Sequence, residues 1–230
     1  MKRAAKETRG PLERAARDLL RETARVAAKL ERQNTRAVAE AAEAMMACLE
    51  GGNSIYFCGN GGSAADAQHL AAELAGRYLL DRPALPATAL STNSSSLTAI
   101  GNDFGYEQVF SRQLEGLGMP GDVLVAITTS GNSPNVLKAV EAAHARGMVV
   151  IGMTGLRGRR LIKVSDVALV SPSDQTPHIQ EAHIAMGHAV CELVERALFG
   201  GRRQESHARA GKGAARRTRP AKARRRSASR

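Results

Sequence analysis

The sequence predicts an α/β fold with a mainly parallel sheet flanked by helices and preceded by N-terminal helices. From about residue 54 onward, apolar runs of strand length alternate with helical segments, which is typical of parallel sheets covered on both faces. The run DVLVAIT at 122–128 is apolar almost throughout, as expected for a strand buried on both faces. A chain of 230 residues is long enough for one such domain with a substantial core.

The first fifty residues predict helices. From about Leu12 to Glu50, apolar side chains recur at helical spacing among charged ones, so we expect two amphipathic helices. Their apolar positions are Leu19, Leu20, Val26 and Leu30 in the first and Val38, Met45, Met46 and Leu49 in the second. The sequence GGN at 51–53 ends the second helix. Such stripes suit either the domain's own sheet or a subunit interface.

The remaining elements follow from the same periodicities. Strands are predicted at 54–58, 84–90, 122–128, 148–154 and 166–171. Helices are predicted at 63–78, near 94–100, and at 106–117, 133–146 and 177–198. Because parallel sheets bind ligands beyond the carboxyl ends of their strands, the loops that follow the strands are the places to look for a site.

We divide the chain into three parts: N-terminal helices at 1–50, an α/β domain at 51–200 and a tail at 201–230. The first boundary follows from the helical pattern, and the second follows from the distribution of charge. The tail holds twelve Lys and Arg residues against one Glu, and it therefore carries the whole formal net charge of +11. Almost nothing apolar follows Phe199, so the tail is predicted to be disordered. Its expected contact with nucleic acid is weak, non-specific and salt-dependent.

Composition disfavours several classes of protein. Aromatic residues make up 3% of the chain and Trp is absent, so a base-stacking surface for nucleic acid is poorly supplied. The apolar runs are too short to cross a membrane, and no apolar core follows the basic N-terminus as in a secretion signal. Cys48, Cys58 and Cys191 lack disulfide or metal spacing, which predicts buried free thiols in a cytoplasmic protein.

The stretch GNGGS at 59–63 is a glycine turn that opens a helix. It fits the dinucleotide fingerprint only in a degenerate form, with no acidic residue at the end of the next strand, and no Gly-Lys-Ser/Thr follows, so nucleotide binding is excluded. The helix behind it carries His69 and Glu73, four residues apart on one face. From spacing alone this pair is a surface pair, a core histidine with its partner, or a metal-ligand pair.

A second loop, TTSGNSPN at 128–135, is rich in hydroxyl groups. Ser133 followed by Pro134 is typical of a helix start, with Ser as the N-cap. Hydroxyls and free N–H groups around a helix N-terminus bind anions without Lys or Arg. A turn that only caps its helix is the alternative, but four hydroxyls within six residues favour a phosphate monoester.

A late helix concentrates further ligand types. The run PHIQEAHIAMGHAVCELVE contains His178, Gln180, Glu181, His183 and His188. Gln180 and His188 lie eight residues apart, or roughly 12 Å along a helix. Two histidines, a carboxylate and a Gln oxygen would suit zinc, although the pattern does not show whether the two helices meet.

Taken together, five segments resemble the phosphoheptose isomerases, which are sedoheptulose 7-phosphate isomerases of the sugar-isomerase (SIS) fold, over about residues 12–199. The segments are CGNGGSAADAQHLAAEL, RPALPATAL, GNDFGYEQVFSRQ, GDVLVAITTSGNSPN and IQEAHIAMGHAVCELVE. The resemblance implies an SIS-type three-layer sandwich, a cytoplasmic homotetramer and one Zn²⁺ per subunit. It also implies conversion of sedoheptulose 7-phosphate to D-glycero-D-manno-heptose 7-phosphate through an enediol, as the first step of heptose nucleotide biosynthesis.

The resemblance also assigns residues by position. Glu73 and His188 resemble the family's acid–base pair. The implied metal ligands are His69, Glu73, Gln180 and His188. The implied substrate contacts are Asn60, Gly61, Gly62, Ser63, Arg77, Asn102, Asp103, Thr128, Thr129, Ser130, Ser133 and Gln180. Two departures stand out: Pro177-His178 where relatives often have Arg or Asp, and Thr128 where Ser is frequent.

Two alternatives lie within the same fold. The first is a non-catalytic adaptor like the paralogue that binds the bacterial replication initiator, but that paralogue lacks the helix glutamate and the late histidine, whereas this chain has Glu73 and His188. The second is a sugar-phosphate-sensing regulator, for whose additional domain the remaining residues are too few. The sequence therefore favours an enzyme.

Overall fold

Five parallel strands form one sheet at the centre of the molecule, as predicted. The structure is a computed structural model that describes the backbone of residues 2–216 and the side chains of residues 10–200. The strands are β1 (Ile55–Gly59), β2 (Ala87–Ala89), β3 (Val123–Ile127), β4 (Val149–Gly155) and β5 (Val167–Ser171). They lie in the order β2-β1-β3-β4-β5, and each neighbouring pair is parallel.

Helices cover both faces of this sheet. They are α1 (Lys2–Glu50), α2 (Gly62–Ala75), α3 (Ser94–Phe104), α4 (Ser111–Leu117), α5 (Pro134–Ala145), α6 (Arg159–Val164) and α7 (Thr176–Arg216). On one face α1, α2 and α7 pack on strand residues such as Phe57 and Val125. On the other face α4, α5 and α6 pack on residues such as Leu124 and Val150. The three-layer architecture follows from this alternation along each strand.

The N-terminal segment is one helix of 49 residues, which corrects the prediction of two. No Gly or Pro interrupts residues 12–50, so no backbone feature ends the first predicted helix. Asn34, in the middle of α1, exchanges two hydrogen bonds with the backbone of Val170 in β5. The second half of α1 therefore packs along the β5 edge, whereas Leu12, Leu19 and Leu20 are 66–70% exposed.

Several other boundaries differ from the sequence expectations. Strand β2 is shorter than predicted, because the preceding stretch contains two prolines, Pro83 and Pro86. The helix predicted at 106–117 is a 3₁₀ turn, Tyr106–Gln108, followed by α4. Helix α6, with Leu161 as its one buried residue, was not predicted because its apolar pattern is too short to recognise.

The predicted disordered tail begins inside α7, which continues through Arg216. Arg, Gln, Glu and Ala between 201 and 216 are strong helix formers. Residues 217–230 lie outside the described residues, and disorder there stays a prediction.

The three cysteines are buried free thiols, as predicted. Burial raises the pKa of Cys48 to about 11 and the pKa values of Cys58 and Cys191 to about 12. At neutral pH all three are therefore protonated and poorly nucleophilic. Within the described part of the chain, no helix combines the length and the apolar character needed to span a membrane.

The strand order reverses direction between β1 and β3. The chain passes from β1 outward to β2 on one side, and from β3 outward through β4 to β5 on the other. In open α/β sheets such a switch point leaves a crevice at the carboxyl ends of the two central strands. The glycine turn follows β1 and the hydroxyl-rich loop follows β3, so the topology brings both predicted loops to this crevice.

Candidate active site

The glycine turn lets two helices approach the end of β1 closely. Gly61 has φ of +54°, a conformation that side chains disfavour. A Cβ on Gly59 would meet the backbone of Ser63, and a Cβ on Gly62 would collide with the side-chain amide of Gln180. The glycines therefore let α2 begin directly against the strand and let α7 lie against the turn.

Asn60 joins the two loops across the crevice. Its side-chain amide exchanges two hydrogen bonds of 2.8 Å with that of Asn135, in the first turn of α5. The Tyr106 hydroxyl donates to Asn60 Oδ1 at 3.2 Å. Sequence reasoning selected Asn60 but missed Asn135 and Tyr106. The signal for both was present, since Asn135 ends the segment TTSGNSPN and Tyr106 lies within the segment GNDFGYEQVFSRQ.

The hydroxyl-rich loop is folded around Thr128. Its Oγ1 lies 2.8 Å from Ser133 Oγ and 3.3 Å from Ser130 Oγ. Ser133 occupies the N-cap position of α5, as predicted, but its side chain does not cap the helix. The hydroxyls of Thr128, Ser130 and Ser133 thus gather at the carboxyl end of β3, next to the first N–H groups of α5, where an anion is stabilised. Thr129 lines a neighbouring cavity together with Ser130.

Three of the predicted metal ligands come together between α2 and α7. His69 Nε2 lies 2.7 Å from His188 Nε2 and 3.4 Å from Glu73 Oε1, and the ligand atoms of the three residues lie within 4.8 Å of one another. One imidazole donates its N–H to the other. The side chains of His69 and Glu73 are 46% and 22% exposed, so the His69–Glu73–His188 cluster is open to a ligand.

Helices α2 and α7 meet in parallel, which sequence patterning did not show. Gly62 lies against Gln180, Leu70 against Gly187 and His69 against His188. Steps of seven or eight residues along both helices therefore stay in contact. Gln180 consequently sits at the glycine turn, two turns before His188. In residues 10–200 its amide makes no hydrogen bond to the cluster, and the predicted fourth metal ligand stays a prediction.

Three other predicted residues lie apart from these contacts. Arg77, Asn102 and Asp103 are exposed, and the Asn102 amide donates to Asp103 Oδ1 at 2.8 Å. Among the described side chains, none of the three hydrogen-bonds to the cluster or to the hydroxyl-rich loop. Arg77 follows α2, which ends at Ala75 rather than at the predicted residue 78. The substrate roles implied for these residues stay predictions.

Asp66 is a half-buried residue near the cluster that sequence reasoning missed. Its Oδ2 has no hydrogen-bond partner among the described residues. Burial raises its pKa, against an opposing interaction with His69. Its spacing of three residues before His69 was the available signal, because such residues share a helix face.

Comparisons with known proteins identify the family of this chain. A family model described as SIS domain matches residues 18–155. The phosphoheptose isomerase of Rhodospirillum rubrum is 60% identical over 162 residues, which cover 70% of this chain and 86% of that protein. The chain therefore belongs to the phosphoheptose isomerase family of SIS-domain proteins, and it is an isomerase.

Solved structures give the same result. The phosphoheptose isomerase of Neisseria gonorrhoeae matches with a TM-score of 0.76 and 45% identity, covering 80% of this chain and 98% of that one. The enzyme of Francisella tularensis matches with a TM-score of 0.77 and 37% identity, covering 79% and 97%. The SIS fold expected from the sequence is thereby confirmed.

Proposed function

We propose that the enzyme converts sedoheptulose 7-phosphate to D-glycero-D-manno-heptose 7-phosphate, as the first step of heptose nucleotide biosynthesis. The observation that carries this proposal is the His69–Glu73–His188 cluster on α2 and α7, with the hydroxyl-rich loop joined to the start of α2 through Asn60 and Asn135. A sugar phosphate requires both features: an anion site for the phosphate and titratable groups near the carbonyl. The names of the relatives support the same substrate.

The isomerisation moves one proton from C1 to C2 and one proton from O1 to O2, through an enediol. In our proposal Glu73 takes the carbon proton and His188 exchanges protons with the oxygens, since positioned general acids and bases accelerate such transfers by about 10²–10⁴-fold. The hydroxyls of Thr128, Ser130 and Ser133 hold the phosphate and so fix the sugar chain relative to these groups.

The cluster also has the donor set of a zinc site. Two imidazole nitrogens and a carboxylate oxygen on neighbouring helices suit Zn²⁺, and both histidines then need free Nε2 lone pairs, so the proton they share here must leave. His69, Glu73 and His188 would hold the ion, with Gln180 as the fourth ligand. Bound there, Zn²⁺ would supply Lewis-acid polarisation of the substrate oxygens. Because a metal-bound group is a weaker base, Glu73 and His188 would have to leave or share the metal in order to transfer protons.

We further propose a cytoplasmic homotetramer whose interfaces include α1. The exposed leucines of α1 support this, because exposed apolar stripes of this kind mark contact surfaces. The basic tail is proposed to make only weak, salt-sensitive contacts with nucleic acid.

The decisive experiment is a turnover assay with purified protein. Wild type should isomerise sedoheptulose 7-phosphate, a chelator should lower the rate, and Glu73→Gln should lower kcat at least about 100-fold. Glu115→Gln is the matched control, since Glu115 forms an exposed pair with Arg112 on α4, and it should retain full activity. A zinc-loaded wild type without turnover would refute the proposal and favour the non-catalytic adaptor.

A further inference from the structure

A buried ion pair lies two helical turns beyond His188. Arg82 Nε and Glu195 Oε1 are 3.0 Å apart, with side chains 1% and 2% exposed. Arg82 belongs to residues 76–86, which connect α2 to β2 and which we call the strap. Burying two charges carries a desolvation cost, so such a pair is weak evidence for stability by itself. Its hydrogen-bond partners indicate another role.

The Glu195 carboxylate holds the strap against α7. Its two oxygens accept hydrogen bonds from the backbone N–H groups of Tyr78, Leu79 and Leu80, at 2.7–3.1 Å, in addition to Arg82. Burial raises the pKa of Glu195, but these four donors together outweigh burial and lower it below its ordinary value. The carboxylate is therefore ionised and saturated with donors.

The Arg82 guanidinium holds the end of α2. It donates to the carbonyls of Leu74 at 2.7 Å, of Gly76 at 3.3 Å and of Pro83 at 3.0 Å. It also donates to the carbonyl of Glu73 at 2.8 Å. The last carbonyls of a helix have no partner within the helix. Arg82 thus fixes the turn of α2 that carries Glu73.

Tyr78 completes the connection to the cluster. Its ring lies 5.6 Å from that of His188, centroid to centroid, at an interplanar angle of 40°. Its backbone N–H is held by Glu195. One ion pair therefore ties together the backbone of Glu73 on α2, the ring that packs on His188, and α7 itself.

We propose that Arg82 and Glu195 are a positioning pair that sets the separation and orientation of Glu73 and His188. Neither residue touches substrate in this account, so both act through the cluster. The inference rests on the function proposed above. It adds two residues that neither spacing nor ligand chemistry had indicated.

The test compares Glu195→Gln and Arg82→Lys with the wild type and with Glu115→Gln. Glu195→Gln keeps the shape but loses the charge, and Arg82→Lys keeps the charge but loses the planar fork that reaches several carbonyls. Two quantities are measured on folded protein: the dissociation constant for Co²⁺ from its absorption spectrum, and kcat and KM for sedoheptulose 7-phosphate. Residues that orient metal ligands typically change metal affinity by about 10–100-fold.

We expect Glu195→Gln to weaken Co²⁺ binding at least about tenfold and to lower kcat by a similar factor, with KM within about twofold of wild type. Arg82→Lys should show a smaller change in the same direction, and it decides the test if Glu195→Gln does not fold. A purely structural pair would lower the unfolding midpoint but leave both quantities within twofold, and that result would overturn the proposal.

If wild type binds no Co²⁺, the proposed zinc site is wrong, and kcat alone decides between a positioning pair and a purely structural pair. If wild type has no turnover, the proposed reaction is wrong and Co²⁺ affinity decides.

Discussion

Ser133 lies at the N-cap position of α5 without capping the helix, because its hydroxyl is hydrogen-bonded to that of Thr128. A Ser-Pro helix start predicts a cap from sequence, and the position is right, but the hydroxyl faces the loop. The difference has a physical cause: Thr128 and Ser130 form a cluster of hydroxyls that offers Ser133 a partner. The side chain is thereby available to an anion.

This orientation predicts different effects for two helix-start residues. Ser133→Ala should raise KM for the sugar phosphate at least about tenfold, because a hydrogen bond to a charged group is worth about 1.5–3 kcal/mol. It should change stability little. Asn93→Ala is the control: Asn93 does cap its helix, accepting from Ser96 N–H at 3.0 Å. That variant should lose about 1 kcal/mol of unfolding free energy with KM unchanged. Steady-state kinetics and urea unfolding measure both, and equal KM changes would contradict the assignment.

His183 is fully buried between α7 and the sheet. Neither ring nitrogen meets a partner in hydrogen-bond geometry among the described residues. Burial lowers its pKa from 6.5 to about 4, against a smaller opposing interaction with the Thr154 backbone. The sequence grouped His183 with the ligand candidates of the late helix, and only the three-dimensional packing separates it from them.

His183 should make stability depend on pH. Since its folded pKa lies below the unfolded value, its contribution is complete above about pH 6.5 and is lost as pH falls toward 4. Between pH 7.5 and pH 5 the loss amounts to about 2 kcal/mol. Urea unfolding at both pH values should show this difference in wild type and less of it in His183→Met. Identical pH dependence in the two proteins would contradict the prediction.

At the scale of elements, sequence patterns predict those segments whose burial is one-sided or complete. The buried strand β3 and the helix start at Pro134 came directly from periodicity and turn chemistry. Helix α6 was not predicted, because its single buried residue, Leu161, cannot produce a periodic apolar pattern. The contact between α2 and α7 was also not predicted. His69 and His188 are 119 residues apart in the chain, and local periodicity carries no information about contacts between distant segments.

The close contact between β1 and α2 gives a prediction for glycine substitutions. In Gly59→Ala the new Cβ would press on the backbone of Ser63, which is not a flexible group. The unfolding free energy should fall by about 2 kcal/mol or more. Gly116→Ala, in α4, meets nothing within 4 Å and should gain up to about 1 kcal/mol, as expected for a helical glycine. Denaturant titration of both variants measures the contrast, and equal effects would refute the close-approach argument.

At the scale of the whole molecule, α1 has two unlike halves. Its second half packs on the sheet edge and on α7, whereas Leu12, Leu19 and Leu20 face outward. The sequence predicted the apolar stripes and left open whether they cover the domain or meet another subunit. Within one chain the second stripe is covered, as are Val26 and Leu30 of the first, but Leu19 and Leu20 are not, which favours a subunit interface for these two leucines.

Association should therefore depend on the first half of α1. The double substitution Leu19→Ser with Leu20→Ser should raise the dissociation constant of the assembly at least about tenfold, since each buried leucine contributes about 1.5–3 kcal/mol. Leu117→Ser is the control, because Leu117 is a comparably exposed leucine on α4. Sedimentation across a range of concentrations distinguishes the two. An unchanged dissociation constant in the double variant would show that the subunit interface does not include Leu19 and Leu20.

The parallel contact of α2 and α7 has a consequence for synthesis on the ribosome. The glycine turn and the hydroxyl-rich loop are complete once residue 135 has been made, but His188 and Glu195 come only with the last helix. N-terminal parts of a chain fold first as they emerge. A product that ends before α7 therefore lacks both the second histidine and the α7 side chains that cover one face of the sheet. Such a product lacks the complete His69–Glu73–His188 cluster, so turnover reports that translation has reached the final helix.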